Sequence, residues 1–133
     1  MKIDHIGIAV QDIESAAALY TQGLGLKLER TETVSEQGVR VGFIPVGESE
    51  VELLEPVDAN GTVSRFLANH GEGIHHLCIE VEDIAATMAQ LREQGARLLS
   101  KEPTRGAGNS LVAFVHPKSA NGVLLELVQK RER

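Results

Sequence analysis

Residues 3–13 read IDHIGIAVQDI, and residues 74–84 read IHHLCIEVEDI. The second stretch repeats the first 71 residues on: His5 recurs as His76, Val10 as Val81, Asp12 as Asp83 and Ile13 as Ile84. The same offset carries Phe43 in VGFIPV onto Phe114 in VAFVHP. Further along, VELLEP matches LLELVQ and brings Glu52 onto Glu126 at an offset of 74. The second copy therefore holds three more residues between its last two strands. A duplication of this length sets the fold class before any single element is placed.

Each copy opens on an alternating strand. Ile3, His5, Gly7 and Ala9 share one face, and Asp4, Ile6, Ile8 and Val10 the other. A helix follows, with Asp12 as its N-cap and Ile13, Ala16, Ala17 and Tyr20 as its apolar stripe. Gly23-Leu24-Gly25 ends it. Copy two repeats the plan with Asp83 as cap, then Ile84, Thr87, Met88 and Leu91, and a stop at Gly95. Extended segments come next: LKLERTE, GVRVGFIPV and SEVELLEP in the first copy, ARLLSKE, NSLVAFV and GVLLELV in the second. Gly47 and Asn121-Gly122 mark tight turns. The expectation is a single α+β domain over residues 1–133, built of two tandem β-α-β-β-β modules, 1–57 and 73–133. Residues 58–72 connect them, with a short helix at TVSRFLANH. The modules are expected to form one curved mixed sheet around a cleft, with helices on the outer face. Modules of about 60 residues are marginal alone, so each needs the other.

Composition narrows the function. The net charge of −6 argues against nucleic acid or an anionic membrane as the main partner. Aromatics make up only 3% and there is no Trp, so base-stacking platforms are not expected. No apolar run approaches a membrane span, and MKIDHIGIAV lacks the long apolar stretch and cleavage site of a signal peptide. A single cysteine, Cys78, cannot form an internal disulfide, and a cytoplasmic setting is the simple expectation.

The chemistry lies on the strand faces turned away from the helices. His5 and His76 stand on the first strand of each copy. Glu52 sits between Val51 and Leu53 on the last strand of copy one; Glu126 sits between Leu125 and Leu127 in copy two. A carboxylate among leucines needs a partner or a task. A lone strand histidine or glutamate is most often a packed or solvent-facing residue. Here the repeat reproduces both types at matched positions. If the copies pack about a pseudo-twofold axis, two imidazoles and two carboxylates converge as a divalent metal site. Cys78 follows His76 by two and is read as a small filler or a thiolate ligand. His75 points to the opposite face and packs locally, and His70 is exposed in the connector. His116 is either a turn residue or lines the cleft. Lys101, Arg105, Lys118 and Arg40 are solvated surface by default, while TRGAGNS (104–110) offers backbone N–H groups to an anion.

These residues resemble the vicinal oxygen chelate superfamily over essentially the whole chain. Within it, KIDHIGIAV, SEQGVRVGFIPVG, EVELLEP, GEGIHHLCIEV and above all HPKSANGVLLEL are similar to the methylmalonyl-CoA epimerase family. The resemblance implies that His5, Glu52, His76 and Glu126 ligate a divalent ion, with Co2+ favoured and Mn2+, Ni2+ or Zn2+ as other choices. It implies interconversion of (2R)- and (2S)-methylmalonyl-CoA, a place in propionate metabolism, and a homodimer. Some members have Gln at the Glu52 position. Some carry a carboxylate on the middle strand near Val41, where this chain reads Arg40-Val41-Gly42. The base then falls to Glu126 or Glu52. Lys118, Ser119, Arg105, Gly106 and His116 are expected to meet the CoA thioester.

Three rival readings share the fold. A glyoxalase I-type lactoylglutathione lyase needs the same four ligands and also passes through an enediolate; HPKSANGVLLEL favours the epimerase. A non-catalytic drug-binding resistance protein generally lacks the metal quartet and lines its cleft with aromatics. A ring-cleaving dioxygenase needs a two-His, one-carboxylate site with open positions, against which a fourth ligand argues.

Overall fold

Strand β1 (Lys2–Ala9) leads into helix α1 (Ile13–Ala18), and Asp12 Oδ2 accepts the Ser15 N–H at 2.9 Å, as a side-chain cap should. A π-helical turn over Leu19–Gly23 extends α1 before Gly25 reverses the chain at φ +75°. The computed structural model describes residues 1–106 and 109–130. They form two compact units, His5–His75 in one and Met1–Asp4 with the chain from His76 onward in the other.

In the first unit, strands β2 (Arg30–Val34), β3 (Val39–Val46) and β4 (Ser49–Pro56) follow α1. The pairs β2–β3 and β3–β4 are antiparallel, whereas β4 pairs with β1 in parallel. One sheet face packs Val10, Ile44 and Leu53 against Ile13 and Ala17 of α1. Helix α2 (Thr62–His70) covers part of the other face, with Val63 and Leu67 set against Ala9, Val39, Val41 and Leu54. The connector helix thus falls where TVSRFLANH predicts it. Helices confined to one outer face do not describe this unit: α2 packs on the face that bears His5 and Glu52. Its apolar residues Val63, Phe66 and Leu67 have i, i+3, i+4 spacing and need an apolar partner, which Ala9, Val41 and Leu54 provide. Gly38 ends a 3₁₀ turn at φ +65°, where a Cβ would fall 2.5 Å from an Asp58 carboxylate oxygen.

The second unit repeats the plan with β5 (Gly73–Glu80), whose first three residues belong to the first unit, then α3 (Ile84–Glu93), β6 (Thr104–Arg105), β7 (Leu111–Val115) and β8 (Leu124–Gln129). Here β5–β8 is parallel, while β7–β8 and β6–β7 are antiparallel. Asp83 Oδ1 caps α3 through the Ala86 N–H at 3.1 Å. Val81, Ile84, Met88, Ala113 and Leu127 form the core at the positions the repeat assigns. The expected strand over ARLLSKE is not made. Leu98 forms only an isolated bridge to Val115, and pairing resumes at Thr104. The Arg92 guanidinium takes the Ser100 and Lys101 carbonyls, Ser100 Oγ donates to the Glu102 carbonyl at 2.7 Å, and Pro103 has no N–H to give a ladder.

Helices α1 and α3 each carry a second cap. Ile13 N–H donates to Glu55 Oε1 at 2.9 Å, and Ile84 N–H donates to Gln129 Oε1 at 2.8 Å. Each acceptor comes from the last strand of its own module, so the strand pins the helix N-terminus.

Candidate active site

In the first unit, parallel pairing sets Gly7 opposite Glu52 and His5 opposite Glu50. Glu52 therefore has no side chain directly across from it on β1, and its carboxylate reaches the diagonal neighbour His5. His5 Nδ1 and Glu52 Oε2 lie 3.5 Å apart, with side chains 11% and 16% exposed. In the second unit Cys78 stands opposite Glu126 and His76 opposite Leu124. His76 Nε2 and Glu126 Oε1 lie 3.4 Å apart, at 12% and 14% exposure. The two pairs match in residue type, register, spacing and burial.

The spacing is informative. A charge-assisted N–H···O bond closes to about 2.7–2.9 Å, and both pairs are longer. Two ligands of one tetrahedral or octahedral ion, each bonded at about 2.0–2.2 Å, stand roughly 3.0–3.5 Å apart. Each unit thus offers one imidazole and one carboxylate at the separation a divalent ion requires. The donor set suits a borderline metal. Phe43 stands opposite Glu52, and Phe114 opposite Glu126, so each carboxylate has an aromatic neighbour across its pair. Beyond the first pair, Val41 is buried among Ala9, Leu54 and the residues of α2. The middle strand therefore offers an apolar side chain and no acid at that position.

The other predicted residues have local contacts. His75 packs edge-on against Phe66, with ring centroids 5.2 Å apart, and burial holds its imidazole below the ordinary range. His70 is exposed at the end of α2. Cys78 is fully buried. His116 is the turn residue: its Nδ1 accepts the Lys118 N–H at 3.0 Å and caps the 3₁₀ turn Pro117–Ser119. Ser119 Oγ accepts the Arg97 N–H at 2.9 Å. Lys118 is exposed. Arg105 donates to Asn109 Oδ1. Gly106 gives its N–H to the Ser110 carbonyl at 3.0 Å, and a Cβ there would meet Val112 at 2.7 Å. Ala107 and Gly108 of TRGAGNS lie outside the described residues. Arg40 is not solvated surface: it pairs with Glu14 at 2.6 Å and Glu55 at 3.3 Å. That guanidinium holds the Glu14 carboxyl below the usual range, and the Ser15 hydrogen bonds do the same for Asp12.

A glyoxalase/bleomycin resistance protein/dioxygenase superfamily model matches residues 4–114. The ethylmalonyl-CoA/methylmalonyl-CoA epimerase of Cereibacter sphaeroides is 44% identical, covering 96% of this chain and 97% of that protein. The human mitochondrial methylmalonyl-CoA epimerase is 40% identical over 96% of this chain and 73% of its own. The chain belongs to the methylmalonyl-CoA epimerase family of this superfamily. A variant of the Streptomyces coelicolor methylmalonyl-CoA epimerase, solved with 2-nitronate-propionyl-CoA, superposes at a TM-score of 0.88 with 39% identity, covering 98% of this chain and 94% of that one. The match places this chain's α+β architecture in the same fold. The lactoylglutathione lyase of Salmonella typhimurium is more distant, at 24% identity over 99% of this chain and 95% of that protein.

Sequence reasoning passed over three features of this face and its supports. Glu55 and Gln129 are related by the same offset as Glu52 and Glu126, so the repeat would have found them as matched caps. Phe43 and Phe114 were visible as a matched pair without a role. Arg30 corresponds at the 71-residue offset to Lys101, a matched cation that the repeat would have shown.

Proposed function

We propose that this chain interconverts (2R)- and (2S)-methylmalonyl-CoA, with His5, Glu52, His76 and Glu126 holding one divalent ion. The observation that carries the reading is the duplicated imidazole–carboxylate pair, found twice at ligand spacing in a member of this family. Co2+ is the favoured ion, ahead of Mn2+, Ni2+ or Zn2+. When bound, such an ion supplies Lewis-acid stabilisation of negative charge and a template for oxygen ligands.

The protein's part is proton transfer. C2 lies between a thioester and a carboxylate, so loss of its proton leaves a planar, delocalised enolate. The nitronate carried by the ligand of the Streptomyces coelicolor structure is a planar C2 anion of the same kind. Epimerisation returns the proton to the opposite face. Two carboxylates, Glu52 and Glu126, suit the two faces, each accepting or delivering a proton at a carboxylate oxygen. Val41 cannot share the task, since its side chain is a hydrocarbon buried under α2. Arg105 and Lys118 meet the CoA phosphates, the Ser119 hydroxyl and His116 Nε2 bind polar atoms of the thioester, and the Gly106 segment lets its backbone approach the ligand. The enzyme works as a homodimer in the cytoplasm, a setting in keeping with its one cysteine, Cys78, a buried residue in no disulfide.

The test is deuterium exchange at C2 of methylmalonyl-CoA in heavy water, with metal-loaded and chelated protein. The glutathione hemithioacetal of methylglyoxal is assayed on the same preparation. The reading expects metal-dependent exchange and little lactoylglutathione. Abundant lactoylglutathione without exchange would instead make the chain a lyase.

A further inference from the structure

The face of the first unit that carries His5 and Glu52 continues outward over two more strands. Arg30, Phe43 and Glu52 stand opposite one another in a single cross-strand row. Strand spacing puts the Arg30 Cα about 9–10 Å from that of Glu52. The Arg30 guanidinium carbon lies 3.9 Å from the Phe43 ring centroid. Such stacking fixes the plane of the fork while leaving its edges open. The side chain is 52% exposed, and its Nη2 pairs with Glu32 Oε2 at 3.1 Å. A pair between two half-exposed groups contributes little and yields readily to a better acceptor. One guanidinium has five N–H donors, so most remain for a ligand. In a chain of net charge −6, a cation oriented on the carboxylate-bearing face runs against the average.

We propose that Arg30, held over the Phe43 ring, receives an oxyanion of the CoA thioester and so sets substrate affinity rather than the rate of proton transfer. The inference rests on the function proposed above. The oxyanion has two sources, the free carboxylate of the malonyl group or a phosphate of CoA. Glu32 is the resident competitor for the same guanidinium.

The experiment measures C2 exchange by the metal-loaded full chain on methylmalonyl-CoA and on methylmalonyl-pantetheine, which has no phosphate. Arg30→Met keeps an apolar side chain on Phe43 and removes the charge. It should raise KM for methylmalonyl-CoA about tenfold or more, as loss of a charge-assisted hydrogen bond would, with kcat little changed. Arg30→Lys should recover part of the loss, and Glu32→Gln should lower KM. A penalty that persists on the pantetheine thioester assigns the carboxylate; one that vanishes assigns a phosphate. An active wild type with the same KM in Arg30→Met on methylmalonyl-CoA overturns this inference alone, as does a loss confined to kcat. A wild type that fails to exchange either substrate removes the proposed function, and this inference with it.

Discussion

The two units are built on one plan and finished differently. Each has a capped helix on one sheet face, a parallel pair joining its first and last strands, and a histidine–glutamate pair at matched spacing. The helix N-termini diverge. In the first unit the second cap is the carboxylate of Glu55, which also pairs with Arg40, itself paired with Glu14. In the second the cap is the neutral amide of Gln129, and Leu111 stands where the repeat would put Arg40. The cores diverge too. Ala17 and Gly42 in the first unit correspond to Met88 and Ala113 in the second. A Cβ at Gly42 would stand 3.0 Å from Ile13 Cγ2. The lesson is that the pairs assigned to the proposed chemistry are held constant while their supports drift, as expected when many packings and caps serve one geometry.

The comparison can be broken at its conserved centre first. Glu126→Gln should lower turnover by at least about 100-fold in metal-loaded protein, the lower range for loss of an acid–base group. Glu52→Gln should cost about as much, because the two carboxylates are proposed to serve opposite faces of C2. Steady-state rates of the two variants under one metal concentration check this. Unequal losses would assign the proton transfer to one carboxylate alone.

Smaller effects sharpen the divergence. Met88→Ala removes most of a buried side chain from the second core and should destabilise by about 2–5 kcal/mol in chemical denaturation. Asp12→Ala and Asp83→Ala each delete an N-cap and should lower the denaturation midpoint by less than Met88→Ala does. If one of them costs nothing, the second cap from Glu55 or Gln129 is sufficient alone. The mildest test is pH. Asp12 and Glu14 have carboxyls lowered in the fold, chiefly by Ser15 and by Arg40 respectively. Their contribution is therefore present above the ordinary carboxylate range and is lost as pH falls through their lowered folded values. Glu14→Gln should flatten the acid limb of a stability–pH profile slightly, measured by thermal melts from neutral to strongly acid buffer.

Much of this was legible in the chain. His5 and His76, with Glu52 and Glu126, announce themselves because a duplication makes each a control for the other. Asp12 and Asp83 follow from cap chemistry alone. The strand over ARLLSKE was misread because alternation cannot show that Arg92 will take the carbonyls that a ladder would need. The place of α2 was hidden because an amphipathic stripe tells that a helix must be covered but not by which sheet face. Arg40 was read as surface because its partners, Glu14 and Glu55, are distant in sequence.

The central claim is that one dication is shared by a histidine and a glutamate from each unit. Calorimetric titration of metal-free protein with Co2+ tests it most directly. The account predicts one ion per chain in the wild type, with high-affinity binding lost equally in His5→Ala and in His76→Ala. Two independent sites per chain, or full-affinity binding that survives either substitution, would contradict it.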